Sequence, residues 1–234
     1  MPKNFGKDLP FTRNSFSKYF DHTLLKPDAT KQHIERLCAE AAKHNFASVC
    51  VNPAYVNLAS QLLHGSEIRI GTVVGFPLGA NKTVVKVFET EAALKDGAGE
   101  IDMVIHLGGI KMRDYDLVYH DISEVARVCK LNASICKVII ETVLLTDDEK
   151  RDACKIIVQA GAHFVKTSTG FGPGGATVED IRLLKQMVEG SGTLVKAAGG
   201  IRNYTDALKM IHAGASRLGT SATIKIMAEF YQKV

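Results

Sequence analysis

Eight short apolar segments alternate with longer amphipathic segments along this chain, and this alternation constrains its fold more than any other feature of the sequence. No Pro/Gly/Ser-rich linker and no low-complexity tract separates them. The apolar segments have the length of buried strands and lie at Tyr19–Thr23, Ser48–Val51, Ile68–Val74, Glu100–Ile105, Cys136–Glu141, His163–Lys166, Thr193–Lys196 and Arg217–Gly219. The pattern predicts a parallel sheet whose strands are connected by helices.

Two of the intervening segments, Gln32–Lys43 and Thr83–Lys95, have a helical period. The apolar stripes that we expect to pack on the sheet are Ile34, Leu37, Cys38 and Ala41 in the first and Val84, Val87, Phe88 and Ala92 in the second. Acidic residues at 147–149 and a threonine followed by acidic residues at 177–180 indicate two further helix starts.

Eight strand–helix repeats in 234 residues suit a closed α/β barrel, the (β/α)8 or TIM barrel, which typically needs about 250 residues. An open doubly wound sheet is the alternative, but no G-x-G-x-x-G motif follows the first strand. We therefore expect one (β/α)8 domain over residues 1–234. A short helical extension before Tyr19 would cover the bottom of the barrel.

Composition favours a cytoplasmic protein that acts on a small molecule. The net charge of +4 comes without a dense Lys/Arg block, which argues against a nucleic-acid or membrane partner but suits a phosphorylated substrate. No apolar run approaches the ~18 residues of a membrane span, and Met1–Asp8 lacks a signal-peptide core. The five cysteines show no disulfide or metal spacing, and the histidines show no metal-ligand spacing.

Two lysines end apolar runs where a buried strand opens onto small residues. Lys166 lies in the segment FVKTSTG and Lys196 in the segment LVKAAGG. Because side chains alternate along a strand, Asp102, Lys166 and Lys196 are all expected to point into the barrel. They would meet near its C-terminal end, where barrel enzymes hold their active sites.

Electrostatics gives this cluster a chemical role. Two ammonium groups ~4 Å apart at an effective dielectric constant of ~20 repel each other by about 4 kcal/mol, and burial also disfavours the charged form. We expect Lys166 to be a neutral amine that forms a Schiff base with a carbonyl, its pKa lowered by Lys196. Asp102 would be the general acid/base. The alternative is that Asp102 and Lys196 form only a structural ion pair.

Glycine-rich loops follow the last three predicted strands. Loops after the seventh and eighth strands commonly hold phosphate in barrel enzymes, through backbone N–H groups and a helix N-terminus. The alternative is that the glycines serve only tight turns. The residues expected to form a phosphate site are Gly170, Gly199, Gly200, Arg202, Thr220 and Ser221.

Taken together, these motifs resemble the deoxyribose-phosphate aldolases, a family of class I (Schiff-base) aldolases on a (β/α)8 barrel. Together with the Gly219–Ala222 loop, the matching segments span residues 21–222, nearly the whole chain. The matching segments are DHTLLKP (21–27), SVCVNPAYV (48–56), GTVVGFPLGA (71–80), GAGEIDMVI (97–105), KVIIET (137–142), FVKTSTGFGPGGAT (164–177) and VKAAGGIR (195–202).

The resemblance implies reversible cleavage of 2-deoxy-D-ribose 5-phosphate to D-glyceraldehyde 3-phosphate and acetaldehyde, without a metal or an organic cofactor. It leaves a homo-oligomer, dimer or tetramer, open. The roles that it implies are Lys166 as the Schiff-base residue, Lys196 as its neighbouring cation, Asp102 as the proton-relay acid, and Asp21, Thr23 and Cys50 as residues lining the substrate pocket.

Three positions depart from the family pattern. His106 stands where asparagine is more frequent, Ala222 where serine is, and Phe171 where one branch has lysine. We expect these changes to affect affinity and substrate breadth. Two other functions stay open, namely a sugar-phosphate barrel enzyme without covalent catalysis and a non-catalytic phosphate-binding protein.

Overall fold

The computed structural model describes residues 11–233, and its eight parallel strands close into a barrel in the order β1 to β8. Each strand pairs with the next, and β8 pairs with β1, which excludes an open sheet. The strands are β1 Phe20–Leu24, β2 Ser48–Val51, β3 Arg69–Val74, β4 Glu100–Val104, β5 Ile135–Ile139, β6 Phe164–Lys166, β7 Leu194–Ala198 and β8 Arg217–Thr220. The predicted barrel is confirmed, and every predicted strand end lies within two residues of the observed one.

Helices connect the strands on the outside of the barrel. They are α1 Arg13–Ser17, α2 Lys31–His44, α3 Val56–Leu62, α4 Thr83–Lys95, α5 Leu107–Met112, α6 Tyr115–Leu131, α7 Asp147–Gln159, α8 Val178–Met187, α9 Tyr204–Ala213 and α10 Thr223–Tyr231. Short 3-10 turns cover Pro53–Tyr55 and Thr142–Leu144.

Side-chain oxygens at the N-caps explain where several of these helices begin. Thr30 and Thr146 form capping boxes at α2 and α7, and Thr177 and Asn203 cap α8 and α9. Each cap gives a partner to a backbone N–H group that has none within the helix. The two helix starts predicted near residues 147 and 177 are confirmed.

The part of the predicted N-terminal extension that the structure describes contains the helix α1, which precedes β1, whereas residues 1–10 lie outside the described residues. Phe16 of α1 is fully buried and its ring contacts the rings of Phe20, Tyr204 and Phe230. Aromatic pairs of this kind stabilise beyond the area that they bury. The extension is therefore packed onto the N-terminal end of β1 and onto the last two helices.

The apolar stripe predicted for α2 is buried as expected, but the one predicted for α4 is wrong. Val84 and Phe88 are 69% and 72% exposed. The buried residues of α4 are instead Lys86, Thr90 and Ala93. The helix therefore presents its more polar face to the barrel and its apolar stripe to the outside.

A buried ion pair accounts for this orientation of α4. The Nζ of Lys86 lies 2.5 Å from Oδ2 of Asp121 on α6 and donates to the carbonyl oxygen of Val104 at 2.9 Å. Both side chains are fully buried. Since each charge has a partner, the polar face of α4 can pack inward. The spacing of apolar residues along the helix does not predict this orientation.

The barrel wall separates an apolar layer from a charged interior. On β4, Ile101 and Met103 belong to the hydrophobic core that packs against the helices, whereas Glu100 and Asp102 join ion pairs inside the barrel. This alternation follows from the period of two along a strand. Within the described part of the chain, no helix combines the length and the hydropathy that a membrane crossing requires.

Candidate active site

Asp102, at the middle of β4, lies at the centre of a buried cluster of charges. Its Oδ2 accepts hydrogen bonds from Nζ of Lys166 at 2.7 Å and from Nζ of Lys196 at 2.6 Å. Its Oδ1 accepts from Nζ of Lys137 at 2.8 Å. Burial alone would raise the pKa of Asp102, but the three lysines outweigh burial and hold this pKa well below its ordinary value. The carboxylate is therefore ionised.

Lys166 is the last residue of β6, and its side chain is almost completely buried. Its pKa is lowered, first by burial and further by the charge of Lys196, although Asp102 acts in the opposite direction. A buried amine with a lowered pKa is the form of lysine that can attack a carbonyl at neutral pH.

Lys196 faces Lys166 in register across β6 and β7. Burial alone would lower its pKa too, but Asp102 and Asp21, whose Oδ2 atoms lie 2.6 and 2.5 Å from its Nζ, raise the pKa above its ordinary value. Lys196 is therefore the lysine of this pair that stays charged. Burial contributes most to the lowered pKa of Lys166, and repulsion by Lys196, expected to be the main cause, contributes less.

Asp21 lies inside the charged cluster, and the substrate-pocket role that the resemblance implies for it stays a prediction. It is fully buried, with Oδ1 at 2.6 Å from Nη1 of Arg217 and Oδ2 at 2.5 Å from Nζ of Lys196. Both oxygens thus have cationic partners. We assign Asp21 to holding Lys196 in its charged form.

Thr23 and Cys50, the other two residues suggested for the substrate pocket, are register partners on β1 and β2. The hydroxyl of Thr23 donates to the carbonyl oxygen of Asp21 at 2.8 Å. Burial, with a smaller effect of Asp102, raises the pKa of the Cys50 thiol to about 11. Cys50 therefore stays a neutral thiol and is no nucleophile at neutral pH.

Three charged residues of the interior were given no role by the sequence analysis. Lys137 of β5 lies 2.5 Å from Oε2 of Glu100, and Nη1 of Arg217 lies 3.4 Å from Oε1 of Glu100. The sequence signal for Lys137 was a lysine within an apolar strand, in phase with the inward face. Arg217 gave no such signal because it is the first residue of β8 and reaches inward through a long side chain.

The loops after β7 and β8 are joined by Thr220. Its hydroxyl donates to the carbonyl oxygen of Ile201 at 2.7 Å and accepts from the N–H group of Ala222 at 3.0 Å. The hydroxyl is thus already used inside the protein, whereas the neighbouring Ser221 is exposed. Ala222 is the N-cap residue of α10, and its methyl group cannot accept a hydrogen bond from the first turn. Those N–H groups are available to an anion.

The loop after β6 packs directly on the loop after β7. A Cβ atom at Gly175 would lie 2.5 Å from the carbonyl oxygen of Gly199, and the N–H group of Ala176 donates to that oxygen at 3.1 Å. Gly199 and Gly200 both have positive φ. Glycine is therefore needed at position 175 for the close approach of the two loops, and at positions 199 and 200 for the backbone conformation. Gly170, Gly200 and Arg202 are exposed at this end of the barrel.

Glu141, just beyond β5, holds the segment that follows Lys166. Its Oε2 accepts from the N–H group of Thr169 at 3.1 Å and from the hydroxyl of Thr169 at 2.5 Å. The carboxylate therefore fixes the backbone between the reactive lysine and the glycine-rich loop.

His106 has a structural role, because its Nδ1 accepts a hydrogen bond from the N–H group of Gly109 and caps α5.

Phe171 provides a contact across the mouth of the barrel. Its ring is half exposed and meets the ring of Phe76 edge to face, with 5.3 Å between the ring centroids. The loops after β6 and β3 are thereby brought together at the C-terminal end.

Among residues 11–233, no group of three or more His, Cys, Asp or Glu side chains is placed to hold a metal ion.

A closed (β/α)8 barrel that holds a buried lysine of lowered pKa beside a carboxylate and a second lysine has the architecture of a lysine-dependent aldolase. The chain belongs to the family described as DeoC/LacD family aldolase, whose sequence model matches residues 16–225.

Individual relatives agree with this assignment. The chain is 54% identical to a deoxyribose-phosphate aldolase from Coprothermobacter proteolyticus over 92% of its own length and 96% of the relative. It is 57% identical to one from Carboxydothermus hydrogenoformans over 90% and 93%. The structure superimposes on the tetrameric deoxyribose phosphate aldolase from Aeropyrum pernix with a TM-score of 0.89 and 32% identity, covering 95% of this chain and 94% of the other.

Proposed function

We propose that the protein is a class I aldolase that reversibly cleaves 2-deoxy-D-ribose 5-phosphate to D-glyceraldehyde 3-phosphate and acetaldehyde through a Schiff base on Lys166. The observation that carries this proposal is the pairing of two buried lysines on one oxygen of Asp102, with only Lys166 having a lowered pKa. The identities of 54% and 57% to aldolases of this name support the substrate.

The first step is the formation of the Schiff base. The neutral Nζ of Lys166 attacks the C1 carbonyl carbon of the open-chain sugar, and the resulting carbinolamine loses water to give a protonated imine. Loss of water requires a proton for the departing hydroxyl group. Asp102 is ionised and suits a base, whereas Lys196 keeps its proton and shares the same carboxylate oxygen. We assign the acid role to Lys196, with Asp102 as the relay between the two lysines.

The second step breaks the bond between C2 and C3. A base removes the proton of the C3 hydroxyl, C3 becomes the carbonyl carbon of D-glyceraldehyde 3-phosphate, and the bonding electrons move into the imine to give an enamine. Protonation of this enamine at C2 and hydrolysis release acetaldehyde and regenerate the amine. The fixed charges of the cluster favour the cationic imine because the ionised Asp102 lies 2.7 Å from Nζ of Lys166.

The phosphate group would bind at the loops after β6, β7 and β8. The α10 N-terminus, the exposed Ser221 and the backbone of Gly200 provide donors there, and Arg202 provides a positive charge. Gly170 and Gly199 shape the two loops around it. Thr220 contributes by holding the loops together, since its own hydroxyl is bonded within the protein.

Reductive trapping tests the proposal. Incubation with acetaldehyde and borohydride should add an ethyl group to Lys166, detected by mass spectrometry of the peptide that contains it. The matched variants are Lys166→Arg, which should not be modified, and Lys209→Arg at an exposed site, which should leave the trapping unchanged. Activity that survives borohydride in the presence of substrate would instead indicate a barrel enzyme without covalent catalysis.

We further propose that the protein forms a homo-oligomer, a dimer or a tetramer. The exposed apolar side chains of Val84 and Phe88, one turn apart on α4, support this, because neighbouring apolar side chains on a surface often mark a contact between proteins. Leu78, in the loop before α4, is also exposed. The relative from Aeropyrum pernix is described as tetrameric. Light scattering of the wild type and of Phe88→Glu tests the assignment, with a lower mass expected for the variant.

A further inference from the structure

We propose that Arg217 and Glu100, at the end of the barrel interior opposite to the reactive amine, are positioning residues whose charges decide that Lys166 is neutral. Both are the first residues of their strands, β8 and β4, whereas Lys166 is the last residue of β6. The inference rests on the proposed function, because it concerns the same lysine. It assigns a role in the reaction to a pair of charges that lies at the far end of the cluster.

The ionisable groups of the interior come from seven of the eight strands. β3 begins with Arg69, whose side chain is exposed. The thiol of Cys50 on β2 is neutral at physiological pH because its pKa is raised by burial. The remaining groups are the carboxylates of Asp21, Glu100 and Asp102 and the basic side chains of Lys137, Lys166, Lys196 and Arg217. Among the described residues, three negative charges of this ion-pair cluster therefore face four basic groups, and the cluster is neutral when one base has lost its proton. The buried carboxylate of Glu141, just beyond β5, accepts hydrogen bonds from Thr169 and belongs to none of these ion pairs.

The ion pairs identify which base loses its proton. Lys137 contacts three carboxylates, and Lys196 and Arg217 contact two each. Lys166 contacts one, that of Asp102, which it shares with the other two lysines. A buried charge without a dedicated partner is costly. Lys166 is thus the base with the least compensation.

This arrangement makes Lys166 sensitive to charges that it does not touch. Charges in a buried cluster are screened much less than charges at the surface. Loss of the positive charge of Arg217 would leave an excess of carboxylate that favours the protonated amine of Lys166. Loss of the negative charge of Glu100 would leave an excess of positive charge that disfavours it. The two substitutions should therefore shift the protonation of Lys166 in opposite directions.

The test is the pH dependence of reductive trapping of acetaldehyde on Lys166, followed by mass spectrometry. Arg217→Gln should move the midpoint of the profile to higher pH, with roughly tenfold slower trapping on the acid side. Glu100→Gln should move the midpoint to lower pH, and the double variant should return it close to that of the wild type. Arg217→Lys, which keeps the charge but changes the geometry, should leave the midpoint unchanged.

If the wild type is trapped at Lys166, two results would overturn the inference. One is that the pH profiles of the variants coincide with that of the wild type, and the other is that both single variants shift the midpoint in the same direction. A wild type that is not trapped there would overturn the proposed function itself, and the inference with it. Should Arg217→Gln not fold, Glu100→Gln decides alone, because an unchanged or higher midpoint contradicts the proposal. A structural role without charge balance does not predict opposite shifts or their cancellation in the double variant.

Discussion

Lys166 and Lys196 are register partners on adjacent strands, yet their pKa values move in opposite directions. Burial taken alone would lower the pKa of both amines. The difference comes from the carboxylates, because Lys196 has two of them within 2.6 Å whereas Lys166 has only the shared Asp102. Two residues of the same type, on adjacent strands, thereby differ in their pKa, which is lowered for Lys166 and raised for Lys196.

Substitution of Lys196 by methionine should move the acid limb of activity to higher pH. The variant loses a positive charge, so Asp21 and Asp102 act more strongly on Lys166 and raise its pKa. Only the unprotonated form of Lys166 is active, so a raised pKa should reduce activity at neutral pH. Activity should partly recover when the pH is raised. Loss of the acid itself should cost about 10²–10⁴-fold in kcat. The pH profile of kcat/KM measures the shift, with Lys209→Met as the surface control.

An unchanged pH profile in Lys196→Met would contradict electrostatic control of Lys166 by its neighbour. A profile that shifts without a fall in kcat would keep that control but remove Lys196 as the acid.

Substitution of Asp102 by asparagine should lower activity and stability together. The amide keeps the shape of the side chain but leaves Lys137 and Lys196 with one carboxylate fewer, and breaking a buried ion pair costs about 3–5 kcal/mol. Denaturant unfolding measures the stability, and single-turnover kinetics measures the proton transfer. The exposed Asp96→Asn is the control for amide substitution. A variant that unfolds early but reacts at the wild-type rate would restrict Asp102 to a structural role.

Alanine at Gly175 should weaken binding of the phosphate group with little effect on the lysines. The added Cβ would meet the backbone of Gly199 at 2.5 Å, so the loops after β6 and β7 must separate. We expect a higher KM for 2-deoxy-D-ribose 5-phosphate and unchanged trapping of acetaldehyde, which has no phosphate. Gly99→Ala is the matched control because it has open space around it. An unchanged KM would place the phosphate elsewhere.

Methionine at Lys86 should destabilise the protein without changing the chemistry of the site. Lys86 and Asp121 form a fully buried pair between α4 and α6, and the lone carboxylate would cost about 3–5 kcal/mol. The double variant Lys86→Met/Asp121→Leu should recover much of the lost stability, as measured by the midpoint of urea unfolding. Equal stability of the single variant and the wild type would show that the pair contributes nothing.

The α4 helix illustrates the limit of pattern reasoning. Its bounds were predicted correctly, because helix formation depends on local spacing and on the residues at its ends. Its buried face was predicted incorrectly, because the partner of Lys86 is Asp121, which lies 35 residues further along the chain. A hydropathy pattern predicts that a lysine is exposed, because it contains no information about a carboxylate that is distant in the sequence.

The sequence by itself determined the eight strands, the alternation that makes a (β/α)8 barrel, and the inward phase of Asp102, Lys166 and Lys196. These features follow from periodicity and from the connections between neighbouring elements, which are local. Only the tertiary structure decided which carboxylate neutralises which base. The ion pair of Asp21 with Arg217 joins residues 196 positions apart in the chain, and its strength depends on burial and on distances of a few ångströms that no local pattern encodes.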